Sequence, residues 1–256
     1  MVQTKSARET VFDGIIVLVV TALSVVFLYP MYYCLMASFS DPIQVIANSG
    51  LYWRPLGFSL AGYQSVFNNP NLLRGYANTI KIVAMGTTVN ILLTILGAYV
   101  LSRKEMLLKK ALTILIVFTM YFGGGLIPTY LVVRALGLYN SHLALILPGA
   151  IGTWNLIVMR TAFKQLPDSL EESATLDGAN DYVILARIIV PLSKPTIAVI
   201  LLFYAVGHWN AWFSAAIYLR DRALYPLQLI LREILISGSS STTQSASSTA
   251  NMSEAY

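Results

Sequence analysis

Aromatic and polar side chains are gathered in one otherwise apolar stretch in the last quarter of the sequence. They are Tyr204, His208, Trp209, Asn210 and Trp212. Aromatic rings offer flat apolar faces on which the C–H groups of a sugar can stack, and amide or imidazole groups pair with hydroxyls. Tyr204 and His208 are four residues apart, so they share one face of a helix. The group is suited to binding a hydroxylated solute.

A second pair of the same kind, Trp154 and Asn155, lies in the preceding apolar stretch. Both sets have an alternative interpretation, because Trp and Tyr are also enriched where helices leave a membrane. Trp209 and Trp212 fit that anchoring role better than Tyr204, since they lie nearer the end of their stretch. Both interpretations stay open at this point.

A charged segment, Thr161 to Pro195, predicts two short helices joined by a turn. Asp168 follows Pro167 and precedes Glu171 by three residues. That spacing is typical of a capping box, in which two side chains satisfy the free N–H groups at a helix start.

The turn between these two helices is predicted at Gly178, which permits a backbone conformation that side chains disfavour. Asn180 is placed to cap the second helix, Asp181 to Val190. Pro191 is predicted to end that helix. The segment is therefore interpreted as a helix-turn-helix that projects from the rest of the chain.

Several kinds of chemistry are excluded by residue type. The sequence has one cysteine, Cys34, and two histidines, so neither an intramolecular disulfide nor a metal cluster is predicted. The glycine run Gly123 to Gly125 lacks the lysine of a phosphate-binding loop, so the chain is not predicted to bind ATP in that manner. No cluster of His, Asp or Glu suggests a catalytic site, and no enzymatic activity is predicted.

The composition indicates a membrane protein. Of 256 residues 56% are hydrophobic and 11% are charged, against about 25% charged in soluble domains. About 20 apolar residues in a helix cross a bilayer core of roughly 30 Å. Five stretches without Asp, Glu, Lys or Arg meet that length or approach it: Gly14 to Ala37, Ile82 to Leu101, Ala111 to Val133, His142 to Met159 and Thr196 to Leu219. The predicted fold class is an all-α integral membrane protein.

The sequence also predicts the structure of the loops, of a break within the third span and of the C-terminal segments. The loop between the first two spans is rich in Pro, Asn and Gly and predicts short helices. The third span is predicted to break at Gly123 to Gly125 and to resume through Thr129 to Ala135. Leu224 to Ile236 is too short and too charged to cross and is expected to pack on the outer face. The Ser- and Thr-rich tail, Ser237 to Tyr256, is expected to be flexible.

The basic residues indicate an orientation rather than a nucleic-acid surface, because they are scattered among the loops. With the N-terminus in the cytoplasm, the short loop Ser102 to Lys110 and the segment Thr161 to Pro195 lie inside, as the positive-inside rule favours. Lys81 and Arg160, at span ends, are expected to extend toward the lipid headgroups.

The run Glu171 to Pro191, EESATLDGANDYVILARIIVP, resembles the signature of binding-protein-dependent ABC transporter permeases. That signature is EAA, three residues, G, nine residues, then I-x-L-P. Glu172-Ser173-Ala174 matches the triplet, Gly178 the glycine, and Ile188 and Pro191 the end, while Ser173 and Val190 depart conservatively. The resemblance implies that this loop docks a separate ATPase. The positions it assigns to docking are Glu171, Glu172, Ser173, Ala174, Asp177, Gly178, Ile188 and Pro191.

Two further stretches resemble the carbohydrate-importing branch, in particular the permeases for polysaccharides and complex oligosaccharides. They are GGGLIPTYLVVRALGLYNSHLALILPG and HWNAWFSAAIYLRDRALYPLQLILREIL. The resemblance implies one transmembrane permease domain over residues 1–256 with the type I importer fold. Members of that branch have six spans, so the five counted here suggest that a last helix is missing.

The resemblance also implies partners: an ABC ATPase dimer that holds ATP and Mg, a second permease subunit, and an extracytoplasmic binding protein that delivers the sugar. No cofactor is expected in this chain. The substrate path is assigned to Trp154, Asn155, Tyr204, His208, Trp209, Asn210 and Trp212. Two alternatives stay open, a permease for another solute class and a secondary transporter, although the latter usually carries ionisable relays inside its spans.

Overall fold

A computed structural model describes residues 7–48, 50, 52–103 and 106–236. The predicted flexible tail, Ser237 to Tyr256, lies outside this range. The chain divides into two compact units, residues 1–70 and 71–256.

The first unit is dominated by one long helix, α1 (Ala7–Ser38). Its 32 residues extend over about 48 Å at 1.5 Å per residue, which exceeds the roughly 30 Å of a bilayer core. None of the side chains in its most apolar section is buried within the structure. The predicted span Gly14 to Ala37 lies inside α1, and its apolar surface requires lipid or protein as cover.

After α1 the chain forms the expected loop with short helices, α2 (Pro42–Ala47) and α3 (Ala61–Phe67). Asp41 caps α2, since its Oδ1 accepts a hydrogen bond of 2.8 Å from the Ile43 N–H. The Asp41 N–H donates to the Leu56 carbonyl at 2.9 Å, which closes the loop.

The second unit is organised around α4 (Pro70–Ser102), a helix of 33 residues. It begins more than two turns before the predicted span Ile82 to Leu101. The difference arises because Arg74 and Lys81 bounded the charge-free stretch, whereas the helix itself starts at Pro70, a residue favoured in the first helical turn. Buried residues of α4 include Thr79, Thr87, Asn90 and Thr94.

The third predicted span is broken where the glycines indicated. Helices α5 (Lys109–Tyr121) and α6 (Leu126–Ala135) meet at an angle of 113°. Gly125 has φ +83°. The second piece begins at Leu126 rather than Thr129, because Pro128 then falls in the first turn, where its missing N–H has no intrahelical partner to lose.

The fourth predicted span, His142 to Met159, is a bent pair of helices rather than one continuous helix. It consists of α7 (Leu143–Ile146), a 3₁₀ turn (Leu147–Gly149) and α8 (Thr153–Lys164), with a bend of 53°. The break follows Pro148 and includes two glycines, Gly149 and Gly152, so local chemistry permits it.

The charged segment folds as α9 (Asp168–Leu176), then α10 (Asp181–Ile184), a π-helical turn (Leu185–Ile189) and α11 (Val190–Leu192). The second helix therefore continues past Pro191 instead of ending before it. The widened turn explains this: the Val190 N–H donates to the Leu185 carbonyl five residues back, so the regular bonding pattern is already interrupted before the proline.

The fifth predicted span, Thr196 to Leu219, is also interrupted. It divides into α12 (Lys194–Asn210) and α13 (Phe213–Tyr218). Ala211 has extended backbone, φ −72° and ψ 101°. No Gly or Pro lies at this break, and the Trp212 ring is instead held by Arg232, whose guanidinium carbon lies 3.3 Å from the ring centroid. A tertiary contact accompanies the interruption.

The end of the described chain packs against the start of α4. After a 3₁₀ turn (Arg222–Leu224), residues 227–236 form α14. Leu227 and Ile230 are buried with Leu72, and the Leu227 N–H donates to the Thr79 hydroxyl at 2.9 Å. The apolar segment therefore packs on the start of α4, and its expected position on the outer face stays a prediction.

Within the described ranges, α1 and α4 are long and apolar enough to cross a membrane, and the number of spans rises to five if each bent pair of helices counts as one. The largest core cluster joins the C-terminal half of α4 to α8, to the helices of the charged segment and to α12. This core connects the charged segment to the membrane helices.

Candidate functional site

The charged segment owes its sharp turn to Gly178, whose φ of +82° favours glycine. The Ala179 N–H donates to the Ala174 carbonyl at 2.9 Å and the Gly178 N–H to the Thr175 carbonyl at 3.0 Å. These bonds satisfy carbonyls at the end of α9. Asn180 caps α10 as predicted, its Oδ1 accepting from the Val183 N–H at 3.0 Å.

The start of α9 differs from the predicted capping box. Pro167 is the N-cap residue and provides no side-chain hydrogen bond, and Asp168 is the first residue of the helix. Glu171 forms an ion pair with Arg103. A cation beyond the end of α4 is thus a partner of this carboxylate.

The inward face of the segment is fixed to the end of α4. Ala174 and Ala179 pack against the large core. The Tyr99 hydroxyl donates to Asp181 Oδ1 at 3.4 Å, and the Arg103 guanidinium lies 4.4 Å from the centroid of the Tyr99 ring. Packing, an ion pair and a hydrogen bond hold the segment at this end of the helix, and the cation–π contact between Arg103 and Tyr99 positions the guanidinium for the ion pair.

The outward face carries the rest of the signature. Glu172, Ser173, Asp177 and Gly178 are exposed, as is Pro191, and Ile188 is half-buried. Two large apolar side chains that the sequence interpretation did not single out accompany them, Leu176 at 89% exposed and Tyr182 at 79% exposed. The sequence feature that could have identified them is an apolar residue on each side of the turn in an otherwise charged segment.

The predicted docking residues are therefore divided between the two faces. Glu171 and Ala174 contact this chain itself, whereas the exposed members and Leu176 form a surface available to another protein. We call Glu172, Leu176, Asp177 and Tyr182 the outward face.

A second arrangement of polar groups is buried between α4, α8 and α12. The Tyr204 hydroxyl lies 2.8 Å from the Thr94 hydroxyl and accepts a hydrogen bond of 3.0 Å from the Gly152 N–H. Tyr204 is 8% exposed and Thr94 is fully buried. The phenol thus satisfies a free N–H at the break that precedes α8.

One helical turn away, Asn90 repeats this pattern. Its Nδ2 donates to the Gly149 carbonyl at 3.0 Å, and its Oδ1 lies 3.3 Å from His208 Nε2. Gly86 allows the imidazole to approach, because a Cβ there would lie 2.5 Å from His208 Nε2. We call these residues, with Tyr204 and Thr94, the polar seam.

The shared face predicted for Tyr204 and His208 is confirmed, since both side chains meet α4. The partners on α4 were missed. Gly86, Asn90 and Thr94 recur every four residues, a stripe of small and polar positions that is typical of interfaces between membrane helices. From this four-residue spacing in the sequence, the interface on α4 could have been predicted. Thr87 is also buried, and its hydroxyl has no hydrogen-bond partner among the described residues.

The other residues assigned to the substrate path lie outside the polar seam. Trp154 is 63% exposed, Asn155 is half-buried and Asn210 is exposed. Trp209 lies 6.5 Å from Tyr76 between ring centroids, and Trp212 is covered by Arg232. From this set the structure places the Tyr204 and His208 side chains against α4, and the Asn155 amide lies near the Tyr204 hydroxyl, since a Cβ at Gly152 would lie 3.5 Å from Asn155 Nδ2 and 3.4 Å from that hydroxyl.

The other histidine, His142, has a structural hydrogen bond, since its Nε2 lies 3.0 Å from the Leu224 carbonyl. Among the described residues, no three side chains of His, Cys, Asp or Glu are grouped so that they could hold a metal ion.

A helical membrane chain with a helix-turn-helix fixed to its core is the architecture of a transporter subunit, and comparison with known families agrees. The model of the family described as "Binding-protein-dependent transport system inner membrane component" matches residues 5–249. The chain belongs to this family and is a permease component of an ABC transporter in the inner membrane.

Two curated relatives come from Bacillus subtilis (strain 168). The chain is 40% identical over 229 residues to the polygalacturonan/rhamnogalacturonan transport system permease protein YtcP, covering 90% of this chain and 80% of the relative. It is 41% identical over 236 residues to protein LplC, covering 92% of this chain and 79% of the relative.

A solved structure has the same fold. It is the crystal structure of a bacterial ABC transporter involved in the import of the acidic polysaccharide alginate. The TM-score is 0.85 and the sequence identity 30%, and the match covers 90% of this chain and 82% of that chain.

Proposed function

We propose that this permease imports oligosaccharides or other complex sugars by alternating access, as one half of a transmembrane pathway. The proposal rests on a relative named for polygalacturonan/rhamnogalacturonan transport and on a solved importer of alginate. The chain works with an ABC ATPase dimer, a second permease subunit and an extracytoplasmic solute-binding protein. ATP and Mg are held by the ATPase, and this chain supplies no ATPase site of its own.

The observation that supports docking of a separate ATPase is the division of the charged segment into two faces. Its inward face packs on the core through Ala174 and the Arg103–Glu171 ion pair. Its outward face presents two carboxylates, Glu172 and Asp177, beside the exposed Leu176 and Tyr182. Protein interfaces commonly combine apolar anchors of this kind with a polar rim. We infer that the ATPase docks on the outward face.

The same core provides a route for movement. Ala174, Ile184 and Ile189 of the segment belong to one packed cluster with Ala98 of α4 and Tyr204 of α12. Close-packed interiors transmit displacement rather than absorb it. Closure of the ATPase dimer, acting on α9, would therefore shift α4 and α12 against each other along the polar seam.

Docking is tested by co-purification of the chain with its candidate ATPase and second permease. Glu172→Lys reverses a charge on the outward face and is expected to lose the ATPase. The matched control is Arg74→Glu, a charge reversal at an exposed position at the opposite end of α4, which is expected to retain it. ATPase retention by Glu172→Lys would contradict the docking proposal.

The orientation of the chain in the membrane follows from the proposed docking of the ATPase. The docking segment and the basic loop before α5 lie on the cytoplasmic side, which places the N-terminus in the cytoplasm and Asp221 outside. A cysteine introduced at Asp221 is expected to react with a membrane-impermeant thiol reagent in intact cells. A cysteine introduced at Glu172 is expected to react only after the membrane is opened. Cys34 is replaced by serine in both variants.

Cargo and energy source are tested together in proteoliposomes. Uptake of a labelled oligogalacturonide is expected to require ATP and the binding protein. Uptake driven by a proton or sodium gradient without ATP would favour a secondary transporter, and ATP-dependent uptake of amino acids or phosphate would favour another solute class. Asn210→Ala removes an exposed amide near the seam and is expected to impair uptake without loss of assembly.

A further inference from the structure

A groove with cationic walls lies between α5 and α8. Its volume is about 380 Å³, and its lining residues are Lys109, Lys110, Thr113, Ile114 and Arg160. Ile114 and the methylene stems of the two lysines make much of this surface apolar, while their ammonium groups stay accessible. The groove therefore combines an apolar floor with positive charge at one end.

The positive charge is concentrated. Arg103, Arg160 and Lys164 are close enough to act on the charge of the Lys109 ammonium. Arg103 is paired with Glu171, and in the parts of the chain that the structure describes no ion pair is seen for Lys109, Lys110 or Arg160. An anion in the groove would be attracted by this group of cations.

Backbone carbonyls hold two of these cations in place. The Lys109 ammonium donates to the Ser102 carbonyl at 3.1 Å, and Arg160 Nε donates to the Leu101 carbonyl at 3.0 Å. These bonds fix the positions of the side chains without neutralising them. Arg160 is thus tied to the end of α4, whereas the sequence interpretation left it free to extend into the headgroups.

The position of the groove selects the kind of anion. The two lysines lie on the first turn of α5 and Arg160 lies in the last half of α8. The apolar side chains that follow the lysines along α5 are exposed: Ile114 at 60%, Leu115 at 62% and Phe118 at 52%. A surface of this kind on a membrane helix faces lipid tails. The cations therefore lie at the depth of the headgroups, where basic pockets between membrane helices bind anionic lipids.

We propose that this groove binds the headgroup of an anionic phospholipid. The phosphate contacts Lys110 and Arg160, and an acyl chain lies along Ile114. A water-soluble phosphate would use the cations but not the apolar floor. The site is separate from the outward face of the charged segment and does not depend on the identity of the transported solute.

The test is lipid binding to the purified chain, measured by native mass spectrometry with dioleoyl phosphatidylglycerol and dioleoyl phosphatidylcholine as probes. The expected preference for phosphatidylglycerol is about tenfold. Lys110→Gln is expected to lower phosphatidylglycerol binding about fivefold, the effect of one surface cation, and Lys110→Arg is expected to restore it. Lys81→Gln is the matched control, because Lys81 is an exposed lysine on another membrane helix.

Four results would overturn the proposal. The first is equal binding of the two lipids, and the second is an equal loss in Lys110→Gln and Lys81→Gln. The third is displacement of phosphatidylglycerol by inorganic phosphate at similar concentration, which would assign the groove to a soluble anion. The fourth is loss of the ATPase by Lys110→Gln with unchanged lipid binding, which would assign it to a protein.

Discussion

The Tyr204 hydroxyl lies 2.8 Å from the Thr94 hydroxyl and joins α12 to α4 in the interior of the permease. The same phenol accepts the Gly152 N–H at the break before α8. One side chain thus connects three elements that the proposed alternating access would displace relative to one another. Polar contacts between membrane helices contribute modestly, on average about 0.6 kcal/mol each, so such a connection can form and break during a transport cycle.

Replacement of Tyr204 by phenylalanine tests this connection. Tyr204→Phe leaves the Thr94 hydroxyl and the Gly152 N–H without their partner, and it is expected to lower the free energy of unfolding by about 1–2 kcal/mol. The measurement is the unfolding midpoint of the detergent-purified chain. Tyr121→Phe, at a position 72% exposed, is the control and is expected to have no effect. Equal midpoints for Tyr204→Phe and the native chain would contradict the assigned role.

Position 86 is predicted to require glycine because there is no room for a side chain. A Cβ at this position would lie 2.5 Å from His208 Nε2, so Gly86→Ala is expected to displace the imidazole from Asn90 and to destabilise the chain by about 1–3 kcal/mol. Gly207→Ala is a matched control in the neighbouring helix, because nothing lies within 4 Å of its Cβ. It is expected to be neutral or to stabilise by up to about 1 kcal/mol. The double variant Gly86→Ala/His208→Ala is expected to recover part of the loss, and no recovery would point to another obstacle.

The polar seam illustrates how far the sequence predicts the site. The pairing of Tyr204 with His208 followed from helical spacing alone, since residues four apart share a face. The partners Asn90 and Thr94 did not, because spacing within α4 does not reveal which helix lies against it. Likewise the charge pattern located the third span, but only the fold determined that α6 leaves α5 at 113°.

The ion pair between Arg103 and Glu171 is predicted to hold α9 against the end of α4. Both side chains are partly exposed, 20% and 28%, so the coupling free energy from a double-mutant cycle is expected to be only about 0.5–1 kcal/mol. The cycle compares Arg103→Gln, Glu171→Gln and the double variant. Amide hydrogen exchange in residues 168–176 is expected to rise in all three. Arg187→Gln, an exposed cation of the same segment, is the control.

Gly178 is predicted to be required for its backbone conformation. Its φ is +82° and nothing lies within 4 Å of a Cβ. In the isolated chain, the free-energy cost of replacing Gly178 therefore comes from backbone strain and not from a steric clash. Gly178→Val is expected to destabilise by about 1–2 kcal/mol, whereas Gly178→Asn is expected to cost less, because Asn tolerates the left-handed region. In the assembled transporter Gly178→Val is expected to uncouple ATP hydrolysis from uptake, which is measured as hydrolysis per sugar transported. An unchanged ratio would argue against transmission of movement from the ATPase through this segment.

By itself the sequence determined the class of protein, the approximate membrane segments and the helix-turn-helix, because these depend on local properties: apolar length, turn residues and the spacing of a short signature. The break at Gly123 to Gly125 belongs with them. The tertiary structure alone decided the rest. The continuation past Pro191, the break at Ala211, the partner of Glu171 and the polar seam all depend on which side chains meet across helices. Such contacts join residues distant in sequence, as Thr94 and Tyr204 are, and only packing brings them together.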